Sequence, residues 1–163
     1  MVSPAGAVKA LHVALPEEIR SLDTLADPDY TDACEITISN SDTRSPDQWA
    51  RAIFEDAPRA LRWFVVSGWI AGLGLRLGPR PSPAHVLGWK ILTATPSVIV
   101  LGVHSIVLSN HLVLRVQDSS IVLATFVRYE RRPAPIVWGV AQPIHRRVVP
   151  YLLRRAATHP PGG

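Results

Sequence analysis

Three histidines in the second half of the chain, His85, His104 and His111, are of the residue type suited to moving protons near neutral pH, and Arg128 is a cation able to hold an oxyanion or an anionic ligand. Each histidine falls in or beside a segment with the alternation of a β-strand. With a carboxylate or Arg128 nearby, such a histidine would polarise a carbonyl and transfer a proton in a cavity floored by a sheet. The same placement suits a histidine that only fills a position in the sheet, so both roles stay open. Zinc is a poor fit, because no H-x-x-x-H pair and no Cys/His spacing supplies a tetrahedral site, and no metal is expected. Cys34 is the single cysteine and has no nucleophile signature around it, which makes it a small buried apolar residue. Asp23, Asp27, Asp29 and Asp32 lack the spacing of a calcium loop and read as solvated loop acids. No catalytic or metal motif stands out elsewhere, and no cofactor is expected.

The elements that would position these groups are four β-patterned segments, 86–93, 97–105, 109–116 and 121–130, followed by a long amphipathic helix over 135–155. The breaks Ala94-Thr95-Pro96 and Gln117-Asp118-Ser119 suit hairpins, so an antiparallel meander is the economical topology. Lys90 marks a wet face, which puts His85, Leu87, Trp89 and Ile91 on the other; Arg115 likewise leaves Asn110, Leu112 and Leu114 inward. In the last segment Leu123, Thr125, Val127 and Tyr129 share one face and Phe126 and Arg128 the other, with both faces apolar. An outward Arg128 is the simpler reading; an inward one would need a carboxylate or an anionic ligand. In the helix, Val137, Val140, Ala141, Ile144, Val148 and Leu152 line one side, Arg146, Arg147, Arg154 and Arg155 lie mostly off it, and Pro150 should bend it.

The first half predicts an edge strand over 8–13, a short helix entered at Pro16 with Ile19 and Leu22 buried, and a turn at Asp27-Pro28-Asp29. A strand over 30–39 follows, burying Cys34, Ile36 and Ile38. Ser45-Pro46-Asp47-Gln48 is a capping box that starts a helix burying Trp49, Ile53 and Phe54, and Asp56-Ala57-Pro58 starts another. Between Arg62 and Arg76 stand thirteen uncharged residues, short of the ~20 that cross a bilayer. Gly68-x-x-x-Gly72 allows close helix packing, and Trp63, Trp69 and Leu73 suit a lid over a ligand. Peripheral membrane contact and a homodimer are the other uses of this apolar segment. The rigid stretch 78–83 separates the helices from the sheet.

With 163 residues, 47% of them hydrophobic, the chain fits one domain over 1–157 and a disordered tail over 158–163. The start has neither the basic residues nor the apolar run of a secretory signal, so the expected setting is reducing and cytoplasmic. Residues 1–56 carry four Lys/Arg against eleven Asp/Glu, and 57–163 carry thirteen against two, giving halves of −7 and +11. Complementarity within the fold accounts for this better than a nucleic-acid partner, since only two of the seventeen basic residues are lysines and no basic-aromatic cluster occurs.

The order strand, helices, antiparallel meander, long C-terminal helix, and the stretches LADPDYTDACEI, HVLGWKIL, LATFVRYERR and PIHRRVVPYLLRRA, resemble the START-related (SRPBCC) helix-grip superfamily. Within it they are most similar to a polyketide cyclase-like branch known as a domain of unknown function. The resemblance covers nearly the whole chain. It implies an α+β fold, with a curved antiparallel sheet wrapped around the C-terminal helix and two further helices in the first half. It also implies an apolar small molecule held between sheet and helix, here against Trp63, Trp69, Leu87, Trp89, Leu112, Leu114 and Tyr129. Two functions are compatible: non-catalytic binding or transport of a lipid, polyketide or aromatic metabolite, or a cyclase/dehydratase-like enzyme using His85, His104, His111 or Arg128. One departure is that both middle helices follow the second strand, whereas the superfamily places two helices directly after the first.

Overall fold

The computed structural model describes residues 8–22 and 25–159. The chain runs β1 (Ala10–Val13), α1 (Glu17–Arg20), β2 (Tyr30–Thr37), α2 (Pro46–Phe54) and α3 (Arg59–Ser67), which passes into a π turn (Gly68–Gly72). Then come β3 (His85–Val86), β4 (Trp89–Ala94), β5 (Val98–His104), β6 (Leu108–Val116), β7 (Ser120–Tyr129) and α4 (Ala134–Thr158). The fold is α+β. Its curved antiparallel sheet has the order β1-β2-β7-β6-β5-β4-β3, so β3 to β7 form the expected meander and β2 adds to its far side, carrying β1 at the edge.

Both faces of the sheet are covered, which is why β7 reads as apolar on both. The larger core packs Cys34, Ile36, Leu112, Leu114, Leu123 and Val127 against α2 and α4, while Ile19 and Leu25 cover Ala33, Val113, Val122, Ala124 and Phe126 on the opposite face. Leu22 does not join Ile19; α1 is a single turn, so the next residue of that face lies beyond its end and is exposed. The capping box of α2 is present. The Gln48 N–H donates to Ser45 Oγ (3.2 Å), the Ser45 N–H donates to Gln48 Oε1 (2.9 Å), and Trp49, Ile53 and Phe54 are buried as expected.

Three expectations need correction. The strand over 86–93 is a hairpin: Val86 pairs with Trp89, and Leu87 and Gly88 form the turn with φ of 46° and 89°. Leucine in this left-handed region costs ~1–2 kcal/mol. Burial of its side chain and donation of its N–H to Glu55 Oε1 (3.1 Å) offset that, and the turn removes Leu87 from the alternation with Trp89 and Ile91. Second, the inward side of α4 is wider than the expected stripe. Leu152 is buried and Val137, Ala141 and Val148 pack against the core as expected, joined there by Trp138, Val149, Leu153 and Ala156, whereas Val140 and Ile144 are 71% and 47% exposed. Third, Gly68 and Gly72 permit no close approach: a Cβ at either would meet nothing within 4 Å.

Of the expected tail over 158–163, Thr158 is the last residue of α4 and His159 follows as its C-cap, while 160–163 lie outside the described residues. No described helix is long and apolar enough to cross a membrane. The acidic and basic halves meet through Glu18 and Arg115, whose Oε2 and Nη1 are 2.6 Å apart, and through Asp32 and His145.

Candidate functional site: a cavity between the sheet and α4

A cavity of about 440 Å³ opens between the sheet, the α3–π-turn segment and α4, within the size range of small-molecule sites. One end is aromatic. Trp69 lies between Phe54 and Trp89, with ring centroids 6.3 Å and 5.4 Å away. Gly68 and Gly72 form part of the wall beside it, where the absence of side chains leaves the space open. The mouth is bordered by Phe64, Ile136, Val140 and Ile144, all cavity-lining and all exposed.

The other end is polar, and strand register explains why. Asp32 of β2 stands opposite Thr125 of β7, while Tyr30 stands opposite Val127, itself opposite Asn110 of β6. With a side-chain period of two, Tyr30, Asp32, Thr125 and Asn110 emerge on one face beneath α4. Three of these side chains project next to one another, and α4 brings Trp138 and His145 down onto them. Asn110, Thr125, Trp138 and His145 line the cavity. The Tyr30 hydroxyl donates to Asp32 Oδ2 (2.6 Å), and His145 Nε2 stands 3.2 Å from the same oxygen. The ring of Trp138 packs between them, 5.2 Å from Tyr30 and 5.3 Å from His145.

Burial would raise the pKa of the Asp32 carboxyl, yet His145, Tyr30 and Thr125 together outweigh it and hold the group below the ordinary carboxylate range. Burial, then the bond to Asp32, push the Tyr30 phenol well above its ordinary value, so it remains a donor. A carboxyl depressed in the folded state contributes stability that is present above its unfolded pKa and lost as pH falls through the folded one. Asp32→Asn is therefore expected to destabilise by about 1–3 kcal/mol near neutral pH, with the gap to wild type closing in acid. Urea denaturation at about pH 7 and about pH 3 measures this; a gap independent of pH would show that Asp32 is not held as a carboxylate.

The residues expected at a site divide. Trp69, Trp89 and Leu112 line the cavity. Leu87 and Leu114 are packed in the core, Tyr129 is half-buried at the end of β7, and Trp63 is 73% exposed on the outer side of α3. His85, His104, His111 and Arg128 come together, but in a depression on the opposite face of the sheet, beside Lys90 and Arg76. There His85 Nδ1 lies 3.0 Å from Ser82 Oγ, and Arg128 Nη2 donates to Glu130 Oε1 (2.7 Å). Arg128 thus points outward. Burial pushes the Cys34 thiol up to about 11, which leaves it protonated and unreactive. No group of three potential metal ligands exists among the described residues.

Asp32 corrects the reading of its acidic neighbours as loop acids. Asp27 and Asp29 are exposed and Asp23 lies outside the described residues, but Asp32 is within β2 with its side chain only 13% exposed. Its signal was parity, since a carboxylate two residues before Cys34 and four before Ile36 shares their buried face. The signal for His145 was its position seven residues after Trp138 and four before Val149, on the stripe that α4 buries. Comparison with known proteins found no match: no protein-family model, no curated protein and no solved structure matches the chain.

Proposed function

We propose that the protein binds a mostly apolar small molecule, such as a lipid, polyketide or aromatic metabolite, in the cavity between sheet and α4. The observation that carries this reading is the contrast inside the cavity. Its walls are largely hydrocarbon and indole, yet at the polar end Asn110 Oδ1 and Trp138 Nε1 are buried with no hydrogen-bond partner among the described residues. Buried polar atoms without partners cost about 1–3 kcal/mol each, and a ligand bearing a hydroxyl or carbonyl would satisfy them while its hydrocarbon part fills the aromatic end.

Helix-grip membership remains part of this proposal. Treating β1 as an addition to the sheet edge restores the superfamily order, because α2 and α3 then follow the first strand of the remaining sheet. The exposed apolar mouth and the exposed cations Arg146 and Arg147 on α4 support loading of the ligand at an anionic lipid surface. A carrier needs nothing beyond such binding. The cyclase- or dehydratase-like alternative is favoured by one feature, the His145–Asp32 pair at the polar end.

Native mass spectrometry of protein purified from its own host tests the binding reading, with denaturation and extraction of what it carries. A stoichiometric apolar passenger is expected. Protein that arrives empty and whose tryptophan fluorescence fails to respond to long-chain methyl ketones would overturn it.

A further inference from the structure

We infer that His145 is a catalytic base, held by Asp32, that moves a proton at a carbon next to a carbonyl of the bound molecule. The inference rests on the cavity being a ligand site and adds a reaction class to it.

The geometry has three parts. His145 lines the cavity, its side chain is 17% exposed, and its Nε2 is turned to Asp32, which leaves Nδ1 as the nitrogen available to a ligand. Asp32 Oδ2 accepts the Tyr30 hydroxyl and stands 3.2 Å from His145 Nε2, an ion-pair distance without hydrogen-bond alignment, so the carboxylate is placed to stabilise the imidazolium and to orient the ring as the bond tightens around a substrate. Trp138 lies against the His145 ring and lines the same cavity, and its indole N–H has no partner. A base, its orienting acid and a donor for an oxyanion therefore converge at one end of an otherwise apolar chamber. An ion pair serving only to tie α4 to β2 would not need a cavity-lining histidine or the neighbouring unpartnered donor.

The step needs no co-reactant. The Nδ1 lone pair takes the proton from the α-carbon, the C–H electron pair becomes the C=C bond of an enolate, and the carbonyl π pair moves onto oxygen, which accepts a hydrogen bond from the Trp138 N–H. The imidazolium, stabilised by Asp32, returns the proton to the same carbon or to the conjugated carbon further along. The first outcome is exchange and the second is double-bond migration. The substrate class is accordingly an apolar ketone or enone, and Asp32 is a positioning residue.

The test uses the full chain in deuterium oxide with β-tetralone, an aromatic ketone that fits the chamber. Saturable deuterium uptake at the α-carbon, read by mass spectrometry, is expected above the buffer rate, with a pH profile governed by one group. His145→Gln should lower the enzymatic rate at least 100-fold, and Trp138→Phe, which keeps the ring and loses the N–H, about tenfold. Both should still quench tryptophan fluorescence on ketone binding. Asp32→Asn should lower the rate and displace the pH profile, which a purely structural role would not do. Binding without exchange in the wild type, or exchange unaffected by both His145→Gln and Trp138→Phe, overturns the catalytic assignment while leaving the binding site intact. Failure of the ketone to bind overturns both.

Discussion

Replacing Trp49 with alanine is expected to lower stability by about 3–5 kcal/mol, the cost of truncating a large aromatic in a packed core. Trp49 has no exposed surface and sits on the inward face of α2. The guanidinium of Arg44 lies over its ring, with Cζ 3.5 Å from the centroid, while Arg44 Nη2 donates to Asp42 Oδ2 (2.7 Å) and to the carbonyl of Ala156 (3.1 Å). One side chain thus joins α2, the segment before it and the C-terminal end of α4. Removing the Trp49 ring leaves a cavity and strips the buried Arg44 cation of its stacking partner. Trp49→Phe keeps an aromatic face for Arg44 and should cost clearly less. Urea denaturation of the two variants beside wild type gives the comparison, and a loss under about 1 kcal/mol for Trp49→Ala would mean that α2 is not anchored this way.

Gly68→Phe is expected to abolish uptake of apolar ligands, weakening binding at least 100-fold, without unfolding the protein. Gly68 has φ −63° and ψ −40°, a right-handed helical conformation open to any residue. A Cβ there meets nothing within 4 Å, and the position lines the cavity. The backbone therefore accepts the substitution, and the exchange of glycine for a residue of better helix propensity offsets part of any strain. The phenyl ring, having no room reserved in the core, occupies ligand space. Binding of a long-chain methyl ketone followed by tryptophan fluorescence, together with circular dichroism of the variant, checks both halves. Unchanged binding in a folded variant would place the ligand elsewhere.

Much of the scaffold was legible because the relevant rules are local. The capping box at Ser45 and Gln48, the inward Trp49 and Ile53, the alternation of Cys34, Ile36 and Ile38, and the inward set Asn110, Leu112 and Leu114 depend on spacing within a few residues. The hairpin at Leu87-Gly88 was not legible, because leucine disfavours the left-handed region and is held there by the core and by Glu55, thirty-two residues away in sequence.

The sequence by itself determined the class of object: a meander of strands closed by one long helix, an acidic first half against a basic second half, and apolar residues enough for a core on each side of a sheet. Tertiary structure alone decided where chemistry could occur. The three histidines that alternation singled out lie together on the face away from α4, while the histidine that meets a carboxylate does so across 113 positions of chain, His145 against Asp32. The physical reason lies in α4. The stripe that periodicity picks, Val137, Val140, Ala141, Ile144 and Val148, does line the cavity, but only the fit of Trp138 against Tyr30 and of Val149 and Leu153 into the core widens the inward side enough to bring His145 onto the sheet.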